Sequence, residues 1–271
     1  IGTEMALNGT ASHAFSHIIY KGLLFMGAGA VIHMTGRRKL TELGGLYKTM
    51  PLTVALYMVG AFAISAFPFF SGFVSKSMVI AAAAGDNRAA VTLMLTLASS
   101  GTFLHTGLKL PYYMFFGKDS GLRAAEPPRN MLVAMGLAAG ACVVIGVFPG
   151  LLYVHLPHPT EYVPFTLVHV TNALGMLAFT ALGFFLLLKH LDPEPKVSLD
   201  TDWFYRRPSA GFINLLQGPL ARLEYRFIGE IYEFLIRRPV LGAAFFLGRL
   251  DSLVIDSALV GLGRSPQALS Q

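Results

Sequence analysis

The sequence predicts an all-α fold. It reads as a polytopic membrane helix bundle of about five transmembrane helices, one broken at Pro68–Gly72, followed by amphipathic or interfacial C-terminal helices. Three observations predict it. Hydrophobic residues make up 54% of the 271 and charged residues only 13%, where a soluble domain carries about 25% charge; mean hydropathy is +0.58. Apolar stretches at 11–33, 52–84, 89–116, 130–152 and 164–190 each supply the roughly 20 residues that a helix needs to cross a bilayer. The loops between them alternate in basic charge, as loops on opposite sides of a membrane do.

The first stretch contains "SHAFSHIIYKGLLFMGAGAVI", in which His13, His17 and Lys21 recur every fourth residue. Steps of four drift by only about 40° around a helix, so all three share one face. Each step rises about 6 Å. Ionisable groups in hydrocarbon cost several kcal/mol each by order of magnitude and mark ion pathways. Imidazole titrates near neutral pH, and a desolvated lysine shifts far enough to alternate between charged and neutral. An arginine stays protonated. The residue types therefore favour proton handling over static pairing.

The second stretch is too long for one plain span and contains "ISAFPFFSGFVSK". Proline removes a backbone donor and glycine tolerates non-helical angles. Two half-helices, about 52–66 and 73–84, are expected around an unwound turn, with Lys76 at the start of the second. Broken helices place such groups near the bilayer midplane. In the third stretch, "GTFLHTGLKLPYYMFFG" pairs His105 with Lys109; His105 is the deeper relay candidate. His13 and His17 find no carboxylate partner in the spans to complete a metal site, and nothing pairs His105 convincingly with His169 as a haem-type ligand set. His169 reads as structural, and Lys189 and His190 mark the membrane exit. No metal and no cofactor is expected.

Orientation follows from the loops. Arg37, Arg38, Lys39 and Lys48 occupy the first loop, Arg88 alone the second, and Lys118, Arg123 and Arg129 the third. The fourth, 153–163, has no Lys or Arg, and Lys196, Arg206 and Arg207 follow the last span. Basic loops face inside, so the first helix runs from outside to inside. The same pattern explains the pI near 9.5 as topogenic charge, and no nucleic-acid partner is expected. Residues 1–190 form the expected membrane bundle. Residues 191–271 form an amphipathic segment, interfacial or packed on a partner. There, Arg222, Arg226, Glu230, Glu233 and Arg237 oppose Leu216, Leu220, Leu223, Phe227, Ile231 and Phe234, and "LGRLDSLVIDSALVGLG" is amphipathic and no sixth span. Cys142 is the single cysteine, too few for a disulfide framework. The opening "IGTEMALNGT", with no initiator methionine, leads us to expect a piece of a longer polypeptide.

The two quoted motifs, in the form H-x3-H-x3-K-x-LLF followed by P-x3-GF-x-SK, resemble the proton-conducting antiporter-like subunits. These occur in Mrp-type cation/proton antiporters, in complex I (its L, M and N subunits) and in membrane-bound hydrogenases. "TEYVPFTLVHVTNALGMLAF" and "LDTDWFYRR" are more similar to the D-type branch of the Mrp Na+/H+ antiporter subunits. The resemblance runs to about residue 207. It implies two inverted five-helix repeats in the full subunit, of which this chain would hold the C-terminal half. It implies that His13, His17 and Lys21 belong to a central hydrophilic axis and that Lys76 exchanges protons toward one face. Ser77 departs from the acidic residue of the complex I L subunit. The expected function is proton translocation, with or without Na+/H+ antiport, by one subunit of a complex with other membrane subunits in the cell (inner/cytoplasmic) membrane. The alternatives are a complex I-like NADH:quinone oxidoreductase or hydrogenase pump subunit, and a non-conducting scaffold. No redox or hydrolytic chemistry is expected in the chain itself, since it holds no dinucleotide motif and no cysteine cluster.

Overall fold

A computed structural model describes residues 2–194 and 202–256. The chain divides into two units, Ile1–Pro195 and Lys196–Gln271. Lys196, the first three positions of "LDTDWFYRR" and the end of the expected amphipathic segment, 257–271, lie outside the described residues, as do the side chains of Arg207 and Asp256.

Helix α1 (Glu4–Thr35) starts where the Thr3 hydroxyl accepts from the Ala6 amide and ends at Gly36 in the left-handed region. That left-handed glycine ends a helix at no steric cost. At about 1.5 Å per residue its 32 residues span roughly 48 Å. One side of α1 carries Gly9, Ser12 and Ser16, all buried. Small residues let membrane helices approach closely, and a Cβ on Gly9 would already meet Val79 at 3.2 Å. Around α1 pack α2 (Pro51–Ile64), α3 (Ser71–Gly85) and α5 (Arg129–Val147). Tyr20, Leu23, Leu46, Met50, Tyr57, Phe115, Met135 and Cys142 fill the core between them.

The break between α2 and α3 runs over residues 65–70. Ala66 (φ 59°) and Phe69 (φ 71°) sit in the left-handed region, a strained state for residues with a Cβ. Two glycines hold the break. A Cβ on Gly72 would lie 1.7 Å from the Ala63 carbonyl oxygen, and one on Gly146 of α5 would lie 2.2 Å from that of Phe69.

The third expected span, 89–116, is α-helical as α4 (Ala89–Thr102) and then carries π-helical stretches, Phe103–Lys109 and Tyr112–Phe116. Pro111 lies between them and has no N–H to give to a preceding carbonyl, which accounts for the wider turns beside it. After α5 come the single turn α6 (Gly150–Tyr153) and α7 (Leu167–Leu186). Ser100 and Thr180 hydroxyls join α4 to α7 at 2.9 Å. Helices α1, α5 and α7 are each long and apolar enough to cross a membrane. The two remaining expected crossings are a broken pair and a composite helix, each interrupted at a proline.

The loops meet in two groups. Lys48 Nζ lies 2.9 Å from Asp119, joining the first basic loop to the second. At the other end of α1, the Asn8 side chain donates to the His158 carbonyl (2.8 Å) and accepts from its amide (3.0 Å). Glu126 reaches from the second basic loop to the start of α2, accepting from the Leu52 amide at 2.6 Å and the Thr53 hydroxyl at 2.5 Å. It thereby supplies the cap that Met50 lacks.

In the second unit the described residues form one helical run from Trp203 to Asp256, in which α and π turns alternate. At about 1.5 Å per residue it would extend roughly 80 Å. Pro208, Pro219 and Pro239 interrupt its donors. The π turns blur the strict stripe expected over 211–238, and both the charged and the apolar residues of that segment are mostly exposed.

Candidate functional site

Lys76 sits on the second turn of α3, directly after the break, and is largely covered. Its Nζ donates to the Ile64 carbonyl at 2.6 Å. Ile64 is the last residue of α2, so the ammonium occupies a carbonyl that a continuous helix would have satisfied by itself. The break and the lysine are thus one device: unwinding exposes an acceptor, and the lysine caps it.

Two cavities adjoin this side chain. A small one, about 170 Å³, runs from Lys76 to His13 past Val79, Leu95, Ser99 and Thr102. A larger one, about 560 Å³, runs from Lys76 between α3, α4 and α7 past Ser77, Thr96, Ser99 and Asn172 to His169. Lys76, Ile80 and Ser99 belong to both walls. Both cavities exceed the volume of a single water, whose share of the liquid is about 30 Å³, and each has several polar groups on its wall.

His13 is half-buried, with Nδ1 3.1 Å from the Ser75 hydroxyl of α3. Its ring centroid lies 6.1 Å from that of His17, as the helical rise requires. His17 is exposed on the surface of this chain and meets the Tyr20 ring edge-on at 5.3 Å. Lys21 is half-buried, with Nζ 5.7 Å from the centre of the Phe25 ring. The three residues do share a face, and the His13 end of the row reaches the Lys76 cavity.

His105 and Lys109 are not brought to this centre. His105 is exposed, Lys109 is half-buried, and neither adjoins the cavities at Lys76. The π-helical geometry of 103–109 changes which residues of that segment share a face, so the i, i+4 spacing no longer implies one direction. Pro68 lies in the break and Gly72 at its edge.

Three further residues reach the site without any signal in the sequence. His169, whose position suggests a structural role, stands on the wall of the larger cavity. Tyr162 lies 3.3 Å through its hydroxyl from His169 Nδ1. Tyr153 donates to the Val74 carbonyl at 3.3 Å. Only the fold brings residues this far apart in sequence to α3.

These features define a polytopic helical membrane protein with titratable side chains gathered at a helix break. Residues 1–104 match the family model described as NADH:quinone oxidoreductase/Mrp antiporter, transmembrane. The chain is 33% identical over 156 residues to a probable K(+)/H(+) antiporter A/B-type subunit of Rhizobium meliloti (strain 1021), covering 55% of this chain and 16% of that protein. It is 25% identical over 293 residues to a Na(+)/H(+) antiporter A-type subunit of Alkalihalophilus pseudofirmus, covering 95% of this chain and 36% of that protein. Its fold is similar to a chain of the membrane-bound sulfane sulfur reductase, an archaeal respiratory membrane complex, with a TM-score of 0.56 at 20% identity over 94% of this chain and 48% of that one. The chain therefore spans less than half the length of these relatives.

Proposed function

We propose that this chain is the C-terminal part of a proton-translocating subunit of a multisubunit membrane complex, in which Lys76 exchanges protons with the row His13, His17 and Lys21. One observation carries the reading: Lys76 stands between two cavities, one reaching His13 and the other leading away along α7. A proton arriving from His13 through a water in the smaller space can charge Lys76, and the ammonium then holds the Ile64 carbonyl. Losing that proton into the larger space weakens the hold, so charge on Lys76 and geometry at the break are linked. Two unit charges about 10 Å apart at an effective dielectric near 20 interact by roughly 1.5–2 kcal/mol, about one pKa unit. That is enough for a charge on Lys21 to bias the occupancy of its neighbours.

His105 and Lys109 are kept as members of the path reached from a neighbouring surface, since they are not enclosed by this chain. Five crossings, with the first helix running inward, fit the loop grouping. So does residence in the cell (inner/cytoplasmic) membrane beside other membrane subunits. The C-terminal helical run is proposed as an interfacial or partner-packing element. Relatives named as K+/H+ and Na+/H+ antiporter subunits support cation/proton antiport, and a relative named NADH-ubiquinone oxidoreductase chain 5 supports the redox-coupled alternative; the D-type branch is a finer assignment within the first reading. Gene neighbours discriminate, being antiporter subunits in one case and Fe–S redox subunits in the other.

The test is proton transport by the full-length subunit in its complex, in sealed vesicles. Lys76→Ala and Lys21→Ala are each expected to lower transport by at least tenfold with assembly intact. Undiminished transport in Lys76→Ala would leave the scaffold alternative standing.

A further inference from the structure

We infer that the groove between α2, the π-helical part of residues 103–116 and α7 is a binding site for an anionic phospholipid, whose acyl chain fills the groove and whose phosphate is held by Lys118 and Lys189. The inference goes beyond proton transfer and is independent of the reading of Lys76. It rests on the proposed inward orientation of the basic loops.

The groove, about 300 Å³, is lined by Met58 of α2, by Pro111, Tyr112 and Phe116, and by Phe184 and Phe185 of α7. That volume lies at the lower end of small-ligand pockets. Among the described residues the Tyr112 hydroxyl is the one polar side-chain group on the wall. Apolar spaces of this kind stay dry, which sets the groove apart from the two cavities at Lys76. Its walls are braced by edge-on ring contacts, Tyr112 with Phe184 at 5.6 Å and with Phe185 at 6.2 Å. The groove is open at its side, where Phe116 is 43% and Phe185 55% exposed. In a bilayer the neighbours of those rings are acyl chains, and a braced groove takes one at little ordering cost.

Charge at one end makes the site selective. Phe116 stands two residues before Lys118 and stacks on Tyr47, with ring centroids 5.7 Å apart. Tyrosines concentrate at headgroup depth. On the other wall the Tyr113 hydroxyl donates to the Leu188 carbonyl at 3.3 Å, which brings Lys189 to the same end. Lys118 and Lys189 are both exposed. Lys48 and Arg123, by contrast, are occupied by Asp119 at 2.9 Å each, whereas no described carboxylate pairs with Lys118 or Lys189. Two unpaired ammonium groups thus flank the mouth of a chain-sized groove. Basic pockets between membrane helices on the cytoplasmic side hold anionic headgroups in this way. Asp192 and Glu194 follow His190 and offset part of the local charge, so selectivity comes from the two lysines as direct phosphate donors rather than from a broad positive field. A zwitterionic lipid brings its own cation to the same place and gains less.

The competing occupants are boundary lipid of any headgroup and a protein element, and the experiment separates them. The full-length subunit in its complex is reconstituted in phosphatidylcholine vesicles. Trace phosphatidylglycerol or phosphatidylcholine carrying the same diazirine-bearing acyl chain is then photolysed, and labelled peptides are mapped by mass spectrometry. The phosphatidylglycerol probe is expected to label residues 107–116 and 181–188 well above the phosphatidylcholine probe. Lys118→Gln and Lys189→Gln are each expected to cut that labelling about fivefold, with assembly and phosphatidylcholine labelling unchanged. Leu108→Trp, which fills the groove from its wall, is expected to lower phosphatidylglycerol labelling with both lysines in place. Equal labelling by the two probes means boundary lipid only and overturns the inference. No labelling by either means that protein covers the groove, which also overturns it. A preference that survives in the double lysine variant, or unchanged labelling in assembled Leu108→Trp, removes the assigned headgroup or chain seat and overturns it as well.

Discussion

At the scale of single residues, the site is held by groups that answer unmet backbone demands. Lys76 caps Ile64, and Glu126 caps the Leu52 and Thr53 amides. A carboxylate at a helix start satisfies orphan N–H groups and meets the positive end of the helix dipole. Glu126→Ala is expected to cost about 1–2 kcal/mol by the usual range for lost caps, read as a lower unfolding midpoint of the purified subunit, with Glu126→Gln losing less. Gly72→Ala meets a harder constraint. Its new Cβ would fall 1.7 Å from the Ala63 carbonyl oxygen, so the break must open, and a cost of about 3 kcal/mol, at the top of the usual range for overpacking, is expected. The measurement is the yield of assembled subunit, and wild-type yield from Gly72→Ala would show that the turn is looser than its contacts imply.

At the scale of elements, the loop 117–128 is tied by one carboxylate. Asp119 binds Arg123 through both oxygens (2.9 Å each), Lys48 at 2.9 Å and the Gly121 amide at 2.9 Å. The Arg123 guanidinium, then Lys48 and the amide, hold its carboxyl well below the usual carboxylate range. A depressed carboxylate stabilises above its unfolded value, about 3.9, and the effect fades as pH falls through the folded one. The tie is therefore expected to be constant from pH 8 to pH 5. Proteolytic nicking of this loop in membranes should be equally slow at both pH values and faster at both in Asp119→Asn. Elements also show what sequence made legible. The break was readable because Pro68, Gly72 and a lysine in an apolar run are local signals. Its left-handed Ala66 and Phe69 were not, because neither residue favours that conformation and only packing against α5 imposes it. The π turns beside Pro111 escaped for a related reason: proline announces a lost donor, but not whether the helix kinks or widens. Tyr162 and His169 escaped because their importance lies in approaching α3, and no spacing along the chain encodes that.

At the scale of the whole bundle, charge and contact agree on which loops share a side. The loops at 34–50 and 117–129 together hold seven Lys and Arg residues. These two loops touch through Lys48–Asp119 and through the Gly44 carbonyl, which accepts from the Ser120 hydroxyl at 3.3 Å. Loop 153–163, without a basic residue, meets instead the opposite end of α1 through Asn8 and, at 3.8 Å, Glu4 to His158. Two independent signals, topogenic charge and hydrogen bonding, thus sort the loops identically, although only α1, α5 and α7 are by themselves long and apolar enough to cross. In the proposed five-crossing arrangement the broken pair α2–α3 crosses once between the two sides, and residues 89–116 return. Single cysteines in the Cys142→Ala background test this directly. Ser120→Cys and Thr41→Cys are expected to react with an impermeant thiol reagent only in inside-out vesicles, and Asn87→Cys and Thr160→Cys only in right-side-out ones. Labelling of Asn87→Cys on the same side as Ser120→Cys would mean that the broken pair re-enters without crossing, which would place Lys76 beside one aqueous face and remove the reason for a cavity on each side of it.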